Sequence, residues 1–414
     1  MSTPDFEQNL QKYAELTVRV GLNLQPGQRL VIWAGLEAAP FVRLIATRAY
    51  QMGCRLVDVL WDDDPLTLIR FQHAPRDSFE EFPAWVFPAV TEYLKRGDAF
   101  LGIAGDDPDL LAGQDPELIG VYQRTVAKQR EAYGELISQN ATNWAVVACA
   151  VPSWAARVFS AETPENQVAR LWDAIFDVCR VKQADPVAAW RQHLQGLAAR
   201  SQYLNARQYR GLQYRGPGTD LFIGLPDRHH WVSGGLASKA GIPFVANLPT
   251  EETFTLPHKD QTHGIVTATK PLSYLGALIE DFSLTFENGH AVNARAAKGE
   301  EVLKQMIAVD EGAARLGEVA LVPHHSPISQ SGLRFQNTLF DENAASHIAL
   351  GRGYQFTLHE GTTLSEEDFA ARGGNISNIH VDFMIGSDKI DIDGVLPDGM
   401  TEPVMRSGDW AFDV

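Results

Sequence analysis

The N-terminal part of the chain alternates short apolar runs with a longer segment of helical periodicity. Apolar runs at Arg29–Ala34, Arg55–Trp61 and Ala99–Ala104 each have the length of one strand. Between the first two, Glu37–Met52 repeats its apolar residues at helical spacing. Strands that alternate with helices are typical of βαβ units, in which the strands lie parallel. We therefore expect an α/β N-terminal domain built on a parallel sheet.

The chain then becomes mainly helical, and its character changes again near residue 200. Glu165–Val181 and Pro186–Leu204 have helical periodicity, and one apolar strand, Trp144–Ala150, interrupts the helices. A chain of 414 residues is long enough for two or three domains. We expect residues 1–200 to form the N-terminal domain and residues 201–414 to form a second one.

The second half of the chain has the pattern of a β-rich domain. The segment Tyr209–Gly224 combines a Gly-Pro-Gly turn with an alternating apolar pattern. In Asp281–Asn293, the pair Asn288-Gly289 separates two alternating runs, which is a strong signal for a tight hairpin. We expect a β-rich α+β C-terminal domain, and it contains the candidate chemistry described next.

One predicted strand, Ile379–Ile385, has the clearest candidate chemistry. Alternate side chains of a strand share a face, so His380 and Asp382 point to one side together with Met384. The apolar residues between them point to the other side, where they can enter a core. Imidazole nitrogen and carboxylate oxygen are both good ligands for zinc-like ions. The strand therefore predicts half of a divalent metal site.

A second stretch, residues 337–354, has the signals of a helix with marked ends. Asp341 suits the N-cap, Glu342 is an acid in the first turn, and Gly351 is a C-terminal stop. This predicted helix contains His347. Glu342 and His347 lie about 140° apart around a helix axis, so they would not share one stripe. Glu342 is either an acid that favours the helix start or a residue of the site.

Composition and charge exclude several classes of protein. The net charge of −17 is opposite to that of a nucleic-acid or anionic-membrane binder. No apolar run is long enough for a transmembrane helix, and the N-terminus lacks the pattern of a signal peptide. Cys54, Cys149 and Cys179 lie far apart within apolar segments, which is expected of reduced cysteines in a cytoplasmic protein.

Common catalytic motifs are missing, but histidines and acids concentrate in the second half. The sequence contains no phosphate-binding loop, no dinucleotide fingerprint and no serine-hydrolase elbow. Ten of the twelve histidines follow residue 228. Glu251, Glu252 and Glu318 lie in apolar or charge-poor segments, where a carboxylate is costly unless it is paired or bound to metal. His324 and His325, beside a proline, are interpreted as loop residues.

Several segments of the second half resemble the thermophilic metallo-aminopeptidases, the family of aminopeptidases S and T. The resemblance extends over the whole chain, and it is most specific in segments 247–252, 257–260, 270–274, 280–286, 317–323, 337–342 and 379–387. It implies a site for two divalent metal ions, zinc or cobalt, or alternatively manganese or magnesium. Carried over motif by motif, the implied metal ligands are Glu252, Glu318, His347, Tyr354, His380 and Asp382.

The same resemblance implies hydrolysis of the first peptide bond of a substrate with a free amine. Two metal ions in such sites supply a hydroxide at neutral pH, and this hydroxide is the implied nucleophile. Tyr354 is either a metal ligand or a hydrogen-bond donor to the developing oxyanion. Glu251 and Glu342 are the candidates for the residue that moves a proton. Their positions in the sequence do not distinguish between them.

The family also implies a homodimer that encloses the active site and so restricts substrates to short peptides. Two alternatives stay open at this point. One is another two-metal hydrolase, such as an amidase or phosphoesterase, although no basic cluster accompanies the site motifs. The other is a metal-binding or peptide-binding protein without catalysis. The side-chain preference of the enzyme does not follow from the spacing of the motifs.

Overall fold

The computed structural model describes residues 4–274 and 277–414, which divide into two compact units. The first unit contains residues 4–193, 235–249 and 334–339, and the second contains the other described residues. The chain therefore first passes from one unit to the other within the long helix near residue 200. Among the described helices, none is long and apolar enough to cross a membrane.

Helices are concentrated in the N-terminal half of the described residues, and strands in the C-terminal half. The α-helices are α1 (Pro4–Leu16), α2 (Ala39–Gln51), α3 (Asp64–His73), α4 (Val86–Lys95), α5 (Pro116–Gln129), α6 (Glu131–Ser138), α7 (Pro152–Val158), α8 (Pro164–Val178), α9 (Pro186–Arg207), α10 (Glu300–Ile307), α11 (Pro327–Gln330), α12 (Thr338–Asp341) and α13 (Glu366–Ala371). The strands are β1 (Arg29–Gly35), β2 (Leu56–Asp62), β3 (Ala99–Ala104), β4 (Trp144–Ala148), β5 (Gly211–Gly216), β6 (Thr219–Gly224), β7 (Val232–Ser233), β8 (Gly235–Ala237), β9 (Pro243–Val245), β10 (Asn247–Leu248), β11 (Thr253–Thr255), β12 (Thr262–Thr267), β13 (Leu272–Tyr274), β14 (Ala277–Glu287), β15 (His290–Lys298), β16 (Leu316–Leu321), β17 (His347–Gly351), β18 (His380–Met384), β19 (Asp391–Val395), β20 (Thr401–Arg406) and β21 (Asp409–Trp410).

The first unit is built on a five-stranded parallel sheet with the order β10-β4-β3-β1-β2. In the register of this sheet, Val31 lies between Asp58 and Phe100. Helix α2 buries Phe41 and Ile45 at helical spacing, which is the periodicity that predicted it. The expected α/β domain with a parallel sheet is confirmed.

The second unit contains two antiparallel sheets. One is a five-stranded sheet with the order β18-β17-β16-β11-β7. The other follows the path β13-β14-β12-β6-β5-β19-β20-β21, with β15 paired to β14. Most buried aromatic and aliphatic residues of this unit form a large hydrophobic cluster, and Leu256, Leu358 and Phe369 form a smaller one. The expected β-rich α+β architecture of the C-terminal part is confirmed.

The predicted hairpin between β14 and β15 is present. Glu287 pairs with His290, and the two residues between them form the turn. Asn288 and Gly289 have φ angles of 50° and 78°, the positive values that a tight hairpin turn of this kind needs. The position of this turn could therefore be predicted from the Asn-Gly pair alone.

The prediction of a helix over residues 337–354 is wrong. Only α12 and a 3₁₀ turn at Glu342–Ala344 are helical there, and the rest contains the strand His347–Gly351. Asp341 is itself helical (φ −68°, ψ −32°) and does not cap the turn with its side chain. All five residues of the strand are buried, so it lacks the polar–apolar alternation that reveals a half-exposed strand. Since Glu342 and His347 are not on one helix, the angle predicted between them does not apply.

Gly351 ends this strand where another backbone segment comes very close. Its φ is +103°, and a Cβ atom added to it would lie 2.1 Å from the Ile379 carbonyl oxygen. We expect Gly351→Ala to lower the free energy of unfolding by about 1–3 kcal/mol more than Gly399→Ala does. Gly399 has a similar φ of +88° but no atom within 4 Å of an added Cβ, so it isolates the cost of the backbone conformation. Denaturant unfolding of both variants measures the difference, and equal losses would contradict this account of Gly351.

Candidate metal centre

The register of the five-stranded sheet brings four predicted ligands onto one face. Ala349 of β17 lies opposite Glu318 of β16 on one side and Asp382 of β18 on the other. His347 and His380 each lie two residues from one of these positions along their own strands, so they share the same face. Residues far apart in the sequence are therefore neighbours in the sheet.

The opposite face of the same strands packs into the core. Val319, Ile348, Leu350 and Phe383 all belong to the hydrophobic cluster of the second unit. The alternation predicted for the strand with His380 and Asp382 is confirmed. An apolar face anchors the strands, and the ionisable side chains project from the other face.

The first group of donor atoms consists of Glu252, Glu318 and His347. His347 Nε2 lies 3.3 Å from Glu252 Oε2 and 3.6 Å from Glu318 Oε1. The ligand atoms of this group all lie within 4.8 Å of one another. His347 is 1% exposed and Glu318 is 6% exposed, so the group is sheltered from solvent. Its donor set suits one divalent ion.

The second group consists of Glu318, His380 and Asp382. His380 Nε2 lies 3.6 Å from Glu318 Oε2 and 3.5 Å from Asp382 Oδ1. Its ligand atoms also lie within 4.8 Å of one another. Glu318 therefore belongs to both groups, with Oε1 directed to His347 and Oε2 directed to His380.

Both imidazoles are oriented by backbone carbonyl groups. His347 Nδ1 donates a hydrogen bond to the Ala345 carbonyl oxygen over 3.1 Å, and His380 Nδ1 donates one to the Arg352 carbonyl oxygen over 2.7 Å. Because a carbonyl oxygen only accepts, each Nδ1 has a proton. The Nε2 atoms, which face the carboxylates, are then the atoms available to a metal ion. Sequence reasoning missed both carbonyl groups, because any residue type supplies one.

A buried acceptor atom supports the fit of a cation to this site. Asp382 Oδ1 is buried and accepts no hydrogen bond within the described part of the chain. Buried polar atoms are nearly always paired, so such an atom is expected to have a partner of another kind. Three carboxylates and two imidazoles in this arrangement match the donor preferences of zinc-like ions.

The electrostatics of the cluster shift the pKa values of its members in opposite directions. Burial opposes the charge on His380, but Asp382 and Glu318 raise the pKa of the imidazole to about 9. Burial also opposes the charge on Asp382, but His380 and His347 hold the pKa of that carboxyl below its usual value. Burial raises the pKa of the Glu318 carboxyl. Without metal, protons therefore occupy part of the cluster near neutral pH.

Glu342 and Tyr354 lie beside the five donors. Burial, and then the charges of Glu252 and Asp382, raise the pKa of Glu342 well above its usual value. Burial and the same carboxylates also raise the pKa of Tyr354, so its hydroxyl keeps the proton. The Tyr354 ring lies 4.8 Å from the His380 ring, measured between centroids. Both residues are thus within the electrostatic environment of the cluster.

Glu251 is buried next to the ligand segment, and an asparagine lies between it and Glu342. The Glu251 N–H donates to Asn343 Oδ1 over 2.8 Å, and Asn343 Nδ2 donates to Glu342 Oε1 over 3.5 Å. Burial lowers the pKa of the Arg200 guanidinium, and the nearby charge of Glu251 opposes that shift in part. The roles of Glu251 and Glu342 stay predictions.

The stability of the metal-free protein should depend on pH with a definite sign. The pKa of His380 rises from 6.5 to about 9 on folding, so its stabilising contribution is complete below pH 6.5 and is lost as pH approaches about 9. We expect the Tm of chelator-treated protein to fall by a few degrees between pH 6.5 and 9, and much less in His380→Ala. Thermal unfolding at both pH values measures this. A metal-free Tm that rises over the interval would contradict the assignment.

The structure also shows where the two predicted loop histidines and the three cysteines lie. His324 and His325 lie in a turn, as expected of loop residues. The thiols of Cys54, Cys149 and Cys179 are buried, as expected of reduced cysteines.

The parallel-sheet unit, the antiparallel unit and a cluster of carboxylates and imidazoles that could hold metal ions are the features expected of a metal-dependent hydrolase. A model of the thermophilic metalloprotease family (M29) matches residues 6–410. Aminopeptidase 2 of Geobacillus stearothermophilus is 47% identical over 409 residues, covering 99% of each chain. Aminopeptidase T of Thermus thermophilus is 47% identical over 405 residues, covering 98% of this chain and 99% of its own.

A solved structure agrees with this result. Wild-type AmpT from Thermus thermophilus superimposes with a TM-score of 0.94 at 45% identity, covering 98% of this chain and 100% of the other. The chain belongs to the thermophilic metalloprotease family M29 and is a metal-dependent peptide hydrolase. The resemblance identified in the sequence is confirmed.

Proposed function

We propose that this aminopeptidase of the M29 family removes the N-terminal residue of short peptides at a site for two divalent metal ions. The observation that supports two ions rather than one is the position of Glu318. Its two oxygen atoms face two separate histidines, each of which has a further carboxylate beside it. A carboxylate shared in this way is a usual bridge between two metal ions.

Each ion would have its own ligands besides Glu318. Glu252 and His347 would hold one ion, and His380 and Asp382 would hold the other. Ions held there would polarise a peptide carbonyl and would lower the pKa of water from about 15.7 towards 7, so that hydroxide would be available at neutral pH. Zinc and cobalt fit the mixed nitrogen and oxygen donors best, and manganese and magnesium fit less well.

The surrounding residues supply binding and proton transfer. Before metal binds, burial and the carboxylates of the cluster raise the pKa of Tyr354, so its hydroxyl has a proton. A phenol in that state can donate a hydrogen bond to the oxygen on which negative charge develops. Burial and neighbouring carboxylates raise the pKa of Glu342 well above its usual value, so this carboxyl holds a proton more readily than an exposed one does, as a group that transfers a proton must. We assign the proton transfer to Glu342 rather than to Glu251.

The free amine of the substrate would bind one of the metal ions or a neighbouring carboxylate. With two divalent ions bound, the charges of Glu252, Glu318 and Asp382 would be offset by the ions, so the amine would be held by direct contact rather than by an excess of negative charge. Anchoring the amine there would place the first peptide bond, and no internal bond, at the reacting position.

The family resemblance further supports a homodimer, with catalysis in the C-terminal part of the chain, residues 201–414. Light scattering coupled to size exclusion measures the subunit number. Cleavage of peptides of increasing length measures whether access is restricted. We expect short peptides to be turned over and folded proteins to be untouched.

The experiment that tests the function compares two chromogenic substrates. Chelator-treated protein should not release p-nitroaniline from leucyl-p-nitroanilide, and added cobalt, zinc or manganese should restore the release. N-acetyl-leucyl-p-nitroanilide should stay intact under every condition, because it lacks the ammonium group. Cleavage of the acetylated substrate at a similar rate, or full activity without metal, would overturn the proposal.

A further inference from the structure

Three aromatic rings extend in a row from the metal ligands. The Tyr354 ring, close to His380, stacks on Phe356 with 5.3 Å between centroids and 18° between planes. Phe356 in turn meets Phe254 edge-on, at 6.2 Å and 81°. Tyr354, Phe356 and Phe254 are called the aromatic wall below.

Phe254 lies on the same sheet face as the metal ligands. It pairs with Ala320, which pairs with His347 on its other side. It also follows Glu252 by two residues. Its neighbours Thr253 and Thr255, which point the other way, are both completely buried. The ring therefore stands beside the ligand cluster, with the core on the opposite side of its strand.

The backbone around Phe356 is held in place. Phe356 is the middle residue of the 3₁₀ turn Gln355–Thr357. The Thr357 hydroxyl donates to the Tyr354 carbonyl oxygen over 2.6 Å, and the His230 N–H donates to the Thr357 carbonyl oxygen over 2.7 Å. Fixed turns of this kind position a binding surface before the ligand arrives.

Phe254 and Phe356 are only partly buried, unlike most phenylalanines of the second unit. Phe282, Phe286 and Phe383, for example, are at most 1% exposed. Val232, which pairs with Phe254 across the sheet, is also only partly buried. Apolar surface left uncovered beside a polar cluster is characteristic of a ligand pocket.

We propose that the aromatic wall receives the side chain of the substrate's N-terminal residue and selects for large apolar side chains. This proposal rests on the proposed aminopeptidase function. In a peptide, the first Cα atom joins the amine to the scissile carbonyl group, and the cluster would bind both. The side chain of that residue therefore starts next to the cluster, where the wall begins. Side chains beyond the scissile bond start farther away.

The test measures kcat/KM for leucyl-, phenylalanyl- and alanyl-p-nitroanilide in variants of the wall. In Phe254→Ala and Phe356→Ala, we expect the ratio of leucyl to alanyl activity to fall about 10-fold or more, since the pocket loses its contacts with the larger side chain. Metal content should be unchanged. Phe254→Leu and Phe356→Leu preserve most of the side-chain volume, so they test the proposal if an alanine variant does not fold. In these two variants, we expect kcat/KM to fall more for the phenylalanyl substrate than for the leucyl substrate.

Phe222→Ala is the matched control. Phe222 is also partly buried, and its ring contacts His263 in the other antiparallel sheet of the same unit, with 4.8 Å between ring centroids and 30° between planes. Its substrate ratios should equal those of the parent protein. Unchanged ratios in all four wall variants, with alanyl activity still metal-dependent, would overturn the proposal and leave the aminopeptidase function standing. Absence of activity on every free-amine substrate would instead overturn the function itself.

Discussion

Replacement of Glu318 by glutamine should abolish nearly all activity, with a fall in kcat of about 10³-fold or more. Among the described residues, Glu318 is the one whose two oxygens face both histidines of the cluster. Glutamine has almost the same volume, but its amide group lacks the negative charge and one of the two acceptor atoms. We expect the Glu318→Gln protein to lose at least one metal ion, measured by elemental analysis after dialysis.

The loss of metal must be separated from misfolding. Burial raises the pKa of Glu318, so its ionised form is costly in the metal-free protein, and a neutral amide should be tolerated there. The metal-free variant should therefore unfold within a few degrees of the metal-free parent. Glu311→Gln, at an exposed position of the same unit, is the matched control and should retain full activity. Normal metal content and kcat in Glu318→Gln would contradict the shared role of this carboxylate.

Replacement of Glu342 by glutamine should preserve both metal ions and lower kcat by about 10²–10⁴-fold, the usual contribution of general acid–base catalysis. The charges of Glu252, Asp382 and Glu318 all act on Glu342, which places its carboxyl near the reacting groups. The pH profile of the remaining activity should also lose the ionisation that belongs to Glu342.

Glu251→Gln is the matched comparison, because Glu251 is also buried and lies next to a proposed ligand. We expect a smaller loss of kcat from this variant, since its backbone contact with Asn343 does not depend on the carboxyl group. Steady-state kinetics and metal analysis of both proteins decide the assignment. A larger loss in Glu251→Gln, with metals retained, would transfer the role to Glu251, and full activity in both variants would exclude this scheme of proton transfer.

Local sequence predicted those elements whose signals are local. The strand at Ala99–Ala104, the long helix beginning at Pro186 and the Asn288-Gly289 turn follow from run length, periodicity and turn chemistry. The strand His347–Gly351 does not, because it is buried on both faces and its apolar run also fits a helix. The start signals at Asp341 and Glu342 belong to two short helical turns that stop before His347.

Physical reasoning from the sequence predicted single parts of the candidate site, and only the family resemblance implied that these residues form one site. The spacing of His380 and Asp382 reveals a shared strand face without further information. Nothing in the sequence pattern predicts that Glu318 would lie across the sheet from Asp382, since that depends on the pairing of three strands. The carbonyl groups of Ala345 and Arg352 orient the two imidazoles. They cannot be predicted from residue type, because every residue has a backbone carbonyl group. Tertiary pairing, rather than local propensity, assembles the centre.

The most direct test of the central claim is a crystal structure of the protein soaked with zinc or cobalt, with data collected at the absorption edge of the metal. We expect two anomalous peaks per chain, one beside Glu252 and His347 and one beside His380 and Asp382, with the Glu318 carboxylate between them. A single peak in this region at saturating metal, or two peaks that do not share Glu318, would contradict the account.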